Sequence, residues 1–263
     1  MLRFLSEGIS LSYIDENSEA KRFLPILLIH GFASHVDMNW ISTGWVKHLV
    51  DAGYRVLALD NRGHGKSDKL YDPALYSTEI MANDAYNLLN HLKISKAHVV
   101  GYSMGARVAA VLALEHPYRV GKLILGGLGF NMVRCMAGTG PIAQALLAPH
   151  IDDVLNPTAR TFRAFAEQTK SDLKALAVCI RKIREPISRE RIAELKVPVL
   201  VAVGTKDVMA GSAQLLAKLI PHAKSFEILE NDHIKAAGAS AFKEAALSFL
   251  SEGDALALVG NLQ

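Results

Sequence analysis

The chain has 263 residues, half of them hydrophobic, with 29 basic and 26 acidic side chains, a formal charge of +3 and two cysteines. That length suits one large α/β domain with room for an insertion, and the near-balance of charge speaks against a nucleic-acid partner. Met1 to Ser12 lacks a signal-peptide pattern, no run of about 18 apolar residues occurs, and Cys135 and Cys179 have no zinc spacing, so a cytoplasmic protein with reduced thiols, no membrane partner, no metal and no cofactor is expected.

Leu2 to Ile14 alternates around Gly8 and predicts two short antiparallel strands joined by a turn. Pro25 to Ile29 is a continuous apolar run, the mark of a strand buried on both faces, and it ends in His30-Gly31-Phe32-Ala33-Ser34. A helix is expected over Trp40 to Ala52. The next strand, Arg55 to Asp60, runs into the glycine-rich loop Asn61 to Asp68. Ser77 to Leu92 has helical periodicity, with Ile80, Ala85, Leu88, Leu89 and Leu92 on one stripe. Ala97 to Val100 predicts a strand, Ala106 to Leu114 a helix and Lys122 to Leu125 another strand.

The alternation then stops. From Asn131 to Leu195 there is no good buried strand. Helices are expected at Pro141–Ala148, Thr158–Thr169 and Ser171–Arg184, with turns at Pro149, Pro157 and Pro186. Strands resume at Val197–Val203 and Ala223–Leu229, separated by a helix at Ala213–Ile220, and a helix at Ser240–Leu250 closes the fold. Strands alternating with helices predict a mainly parallel, eight-stranded sheet with helices on both faces. The domain reading is therefore a core of residues 1–130 and 196–252, a helical cap of residues 131–195 and a tail of residues 253–263.

The stretch Gly101-Tyr102-Ser103-Met104-Gly105 lies between a buried strand and a helix. A serine flanked by glycines at such a turn is the nucleophile-elbow pattern, in which the glycines relieve a sharp, strained bend and the hydroxyl stands at the carboxyl edge of the sheet. The five residues alone are weak evidence, because glycine and serine are common. A serine hydroxyl also needs a base and a group that orients the base. Open sheets gather such groups beyond the carboxyl ends of their strands. Asp207 follows the penultimate strand and His233 the last one, and the chain order Ser103, Asp207, His233 fits this kind of fold.

These residues, with His30-Gly31-Phe32, Asp60 to Ser67 and Gly204-Thr205-Lys206-Asp207, make the sequence resemble the α/β-hydrolase superfamily across residues 1–252. The resemblance implies a serine esterase-like hydrolase. Ser103 would be the nucleophile, His233 the base and Asp207 the orienting acid, with the backbone N–H groups of Phe32 and Met104 as oxyanion hole. It implies that the helices between Asn131 and Leu195 cap an acyl pocket, for which Tyr102, Met132, Met136, Leu146 and Phe165 are the candidate lining. His30 and His64 are expected to support their loops, His98 to lie in the core, and Asp60 and Asp68 to anchor the glycine-rich loop. Asp232 is expected to point away from its neighbour His233. Two departures stand out: Ala106-Arg107 where the superfamily often has a second glycine, and Asp232 where it often has glycine. The cap carries ten Lys/Arg against seven Asp/Glu, an excess that a solvated helix surface explains as well as an acidic substrate does. The expected substrate is a small or medium carboxylic ester. The same triad would also serve a lactone, an amide or a carbon–carbon bond, and a non-catalytic binding protein on this fold is the reading from another class.

Overall fold

The core strands are apolar on both sides, and their alternation splits the interior in two. Leu27, Ile29, Leu57, Leu59, Val99, Leu123, Leu125, Val199 and Val201 pack on one face of the sheet. Ile26, Leu28, Val56, Ala58, Val100, Ile124, Leu200 and Ala202 pack on the other. This is the period-2 geometry of a strand buried on both faces. The computed structural model describes residues 1–134 and 138–252.

Eight strands form one sheet: β1 (Leu2–Ser6), β2 (Ile9–Glu16), β3 (Ile26–Ile29), β4 (Val56–Leu59), β5 (Ala97–Tyr102), β6 (Val120–Gly126), β7 (Val199–Gly204) and β8 (Ala223–Ile228). Their spatial order is β1-β2-β4-β3-β5-β6-β7-β8. β1 and β2 pair antiparallel, as does β2 with β4, and every pairing from β4 to β8 is parallel.

On the first face lie α2 (Thr78–His91), α3 (Met104–Glu115) and α8 (Ala213–Ala217); on the second lie α1 (Trp45–Asp51), α9 (His233–Gly238) and α10 (Ser240–Ser251). Ser77 caps α2, its side chain accepting from the Ile80 N–H. α3 runs along the middle of the sheet, and every residue from Met104 to Ala113 is buried. Its small side chains, Ala106, Ala109, Ala110 and Ala113, let the helix pack closely on the strands.

Between β6 and β7 the chain forms α4 (Thr139–Leu147), α5 (Pro157–Gln168), α6 (Leu173–Ile180) and the single turn α7 (Arg189–Ile192). Pro157 occupies the first turn of α5, where a missing N–H costs nothing, and Asn156 and Asp172 cap α5 and α6. The guanidinium of Arg163 on α5 binds the carbonyls of Ala145, Leu146 and Ala148, satisfying the end of α4.

Three expected helices are shorter than their patterns, among them α6, which spans Leu173–Ile180 where Ser171–Arg184 is expected. Trp40 lies in a π-helical turn, Asp37–Ile41, and α1 starts only at Trp45, because Gly44 (φ +79°) interrupts the helix. α8 ends at Ala217 rather than Ile220. Cys179 is a buried free thiol whose pKa burial raises, and Cys135 and the tail 253–263 lie outside the described residues. Among the described residues no helix is long and apolar enough to cross a membrane.

Candidate active site

Ser103 sits where β5 turns into α3. Its φ of +54° is a left-handed value that non-glycine residues rarely adopt. The turn is tight enough that a Cβ on Gly101 would strike the Gly105 carbonyl, and a Cβ on Gly105 would strike the Ile29 and His30 carbonyls. Both glycines of the elbow are thus required by backbone approach. The Ser103 N–H is fixed to the Gly126 carbonyl at 2.8 Å, while the side chain remains partly exposed.

His233 opens α9 just after β8, and Asp207 follows β7. Nε2 of His233 is 2.9 Å from Ser103 Oγ, and Nδ1 is 2.6 Å from Asp207 Oδ2. A carboxylate can only accept, so Nδ1 carries the proton and Nε2 presents its lone pair to the serine hydroxyl. The Asp207 side chain is fully buried, and its other oxygen accepts from the N–H groups of Met209 and Ala210 at 2.9 and 3.0 Å. Those two donors fix the carboxylate, which in turn fixes the ring.

Neighbouring residues hold this chain in place. The Tyr102 hydroxyl donates to the main-chain carbonyl of His233, joining the end of β5 to the histidine. Burial holds that phenol well above its usual pKa, so it remains a donor. Asp232 caps α9 by accepting from the N–H groups of Ile234 and Lys235 at 3.0 and 2.8 Å, which leaves His233 to Asp207. The His30-Gly31-Phe32 loop lies against the elbow, because a Cβ on Gly31 would touch Ser103 Cβ at 3.4 Å. Gly31 N–H is held by Asn39 Oδ1 at 3.0 Å. The N–H of Met104, at the first position of α3, has no intrahelical acceptor and faces the same end of the helix as Ser103.

The loops behind the site are buried polar networks. His30 Nδ1–H donates to the Gly31 carbonyl and Nε2 accepts from Asn61 N–H. His64 Nδ1–H donates to the Arg62 carbonyl. Burial pushes both imidazoles down to about 3, so they stay neutral supports. Asp60 accepts from Val36 and Lys66 N–H, and Asp68 accepts from Ser10 N–H and pairs with Arg3. His98 is buried within β5, edge-on to Tyr54.

A cavity of about 450 Å³ opens at Ser103 and His233. Tyr102 and Phe165 line it; Met132 and Leu146 do not. Met132 is fully buried behind α3, and Leu146 is packed between α4 and its neighbours. Both were apolar residues in the right segment, and packing claimed them. Met136 lies outside the described residues. Phe162, Ile183, Leu128 and Met209 are part of the apolar wall. The Phe162 ring meets Phe32 edge-on at 6.0 Å, and Thr169 Oγ1 donates to the Ala33 carbonyl, so α5 is tied directly to the His30–Ser34 loop.

Several polar residues to which the sequence assigns no chemistry also line the cavity, among them Asn39, Arg107 and Arg184. Asn39 carries no local motif. Arg107 stands four residues after Ser103, which puts it on the same helix face, and that spacing was the available signal. Arg107 is buried and donates to the carbonyls of Asn131, Met132 and Glu185. It therefore ties α3 to both ends of the segment between β6 and β7.

A family model described as alpha/beta hydrolase fold matches residues 25–136. A 2-hydroxy-6-oxononadienedioate/2-hydroxy-6-oxononatrienedioate hydrolase of Paraburkholderia xenovorans (strain LB400) is 36% identical over 127 residues, which is 46% of this chain and 40% of that protein. The chain thus matches about two fifths of that relative's length. Among solved structures, the enol-lactonase from Burkholderia xenovorans LB400 superposes with a TM-score of 0.80 at 24% identity, covering 95% of this chain and all of the other. A hydrolase from Pseudomonas aeruginosa PA01 superposes with a TM-score of 0.72 at 26% identity, covering 95% and 97%. With its eight-stranded sheet and strand–turn–helix elbow, the chain has the α/β-hydrolase fold.

Proposed function

We propose that the chain is a serine hydrolase that cleaves an acyl bond through an acyl-enzyme intermediate, with a small or medium carboxylic ester as the leading substrate. The observation that carries this reading is the continuous hydrogen-bond chain from Asp207 through His233 to Ser103, opening on an apolar cavity. Ser103 Oγ attacks the acyl carbon as His233 Nε2 takes its proton. The tetrahedral oxyanion is received by the N–H groups of Met104 and Phe32, and each such donor is worth about 3 kcal/mol of barrier. His233 then protonates the leaving group, and a water activated by the same imidazole releases the acyl group. Asp207 keeps the imidazole in its reactive tautomer and stabilises the imidazolium. Residues 131–195 act as a cap over a core of residues 1–130 and 196–252, excluding water and shaping the acyl pocket.

A second reading keeps the triad and changes the bond: a lactone, or a carbon–carbon bond β to a carbonyl. The activities of the similar proteins, an enol-lactonase and a 2-hydroxy-6-oxononadienedioate hydrolase, favour it. A side-by-side panel of p-nitrophenyl esters, lactones and vinylogous diketones separates the two. Turnover of esters alone supports the first, and inactivity on every ester with turnover of a diketone or lactone replaces it with the second. Labelling by a fluorophosphonate probe, lost in Ser103→Ala, supports both, and no labelling of folded protein rejects both.

A further inference from the structure

Arg184 lines the cavity that opens at Ser103. It lies past α6, half-buried, with its guanidinium 5.1 Å from the centre of the Phe162 ring. Among the described residues no hydrogen bond or ion pair holds it; burial alone holds it below the usual arginine value, and no carboxylate raises it. The Arg107 guanidinium lines the same cavity and is likewise without an acidic partner, held by main-chain carbonyls. Burial pulls Arg107 down to about 10, and the charge of Arg184 adds to the effect.

The lining offers these cations no counter-ion. Asp207 is committed to His233 and two N–H groups, and Asp232 to the start of α9. Lys206, the remaining cation in the lining, pairs with Glu230. The rest of the wall is largely apolar: Phe32, Leu128, Phe162, Phe165, Ile183 and Met209.

Burying a charge without a partner costs free energy, and Arg107 has a structural return for that cost in the three carbonyls it ties together. Arg184 has none beyond its ring contact. A planar guanidinium at the wall of a desolvated cavity is suited to a carboxylate, which it can bind through two parallel hydrogen bonds. We infer that the cavity takes acyl substrates that carry a carboxylate remote from the scissile bond, received by Arg184 with the charge of Arg107 behind it. This rests on the hydrolase reading for the reacting end and adds the chemistry of the other end.

The test compares matched pairs: p-nitrophenyl hemiesters of glutaric, adipic and suberic acids against neutral p-nitrophenyl esters of equal chain length. For at least one length the acidic member has the higher kcat/KM, by about tenfold or more, the size of a charge-assisted hydrogen bond. In Arg184→Gln the acidic-to-neutral ratio falls at least tenfold, and Arg184→Lys, which keeps the charge without the fork, retains part of it. Equal kcat/KM within every pair, with the neutral esters turned over, overturns the carboxylate site and leaves the hydrolase reading standing. A second arm does not need turnover. By calorimetry, Ser103→Ala protein binds adipic monoamide more tightly than hexanamide, and Arg184→Gln in the same background removes the difference. If no ester is cleaved, the ester reading fails, and this arm decides alone: equal affinity for the two amides overturns the carboxylate site.

Discussion

His233 Nε2 lies 2.9 Å from Ser103 Oγ, although 130 residues of chain separate them. The imidazole is held on its other side by Asp207, so three strand ends, those of β5, β7 and β8, converge on one hydrogen-bonded chain. Each member is expected to matter in a distinct way. Ser103→Ala removes turnover and covalent labelling together. Asp207→Asn keeps the geometry but favours the wrong tautomer, and kcat falls by roughly 10⁴-fold. The check is steady-state kinetics beside fluorophosphonate labelling. An Asp207→Asn enzyme within tenfold of the parent would remove Asp207 from the mechanism.

The elbow couples this chemistry to stability. Gly105 lies so close to β3 that a methyl group there meets two main-chain carbonyls rather than a side chain that could rotate away. Overpacking typically costs 1–3 kcal/mol, and a backbone obstacle sits at the upper end, so Gly105→Ala is expected to lose about 3 kcal/mol. Gly140→Ala, where added atoms meet open space on α4, is neutral or slightly stabilising by comparison. Urea denaturation midpoints of the two variants measure the contrast, and equal midpoints would refute the packing argument.

What the sequence made legible follows from how locally each feature is encoded. Buried parallel strands write themselves as short apolar runs, so β3, β4, β5 and β7 fall within a residue or two of the expected positions. Ser103, Asp207 and His233 stand at strand exits, and a strand exit is visible in one dimension. The cavity wall is not. Met132 and Leu146 share their hydrophobicity with Phe162 and Ile183, and only the three-dimensional path of the segment between β6 and β7 decides which of them lines the cavity. The π-helical turn at Trp40 was hidden for a similar reason: Trp40 and Trp45 are both fully buried, which gives a continuous helical pattern across a backbone break at Gly44.

The buried pair Arg62–Asp84 ties the glycine-rich loop to α2. Arg62 Nε and one terminal nitrogen bind the two carboxylate oxygens at 2.7 Å each, and Ser6 Oγ adds a third bond to Asp84. Both side chains are nearly inaccessible to solvent. Removing one partner strands a buried charge, so Asp84→Ala is expected to lose 3–5 kcal/mol, roughly, from the unfolding free energy. The double variant Arg62→Met with Asp84→Leu removes both charges and recovers much of that loss. Chemical denaturation of the two proteins tests this. A double variant no more stable than Asp84→Ala would show that the hydrogen bonds themselves, beyond charge cancellation, hold the loop.

The two neutral histidines behind the candidate active site set an acid limit on the fold. Burial pushes His30 and His64 down to about 3 in the folded protein, His64 with a further contribution from His30. In the unfolded chain a histidine titrates near 6.5, so below that pH the unfolded state binds protons that the folded state refuses. Their contribution to stability is complete above about pH 6.5 and is lost as pH falls toward 3. Between pH 7 and pH 5 the unfolding free energy is expected to drop by about 2 kcal/mol for each of the two. His116, half-buried and shifted downward by burial and by Arg119, adds a smaller loss of the same sign. Guanidinium denaturation at pH 7, 6 and 5 measures the slope. Replacing His64 with asparagine, which cannot take up a proton, should remove close to half of the part due to His30 and His64. An unfolding free energy that stays level from pH 7 to pH 5 would mean that one or both imidazoles accept a proton without leaving the folded state.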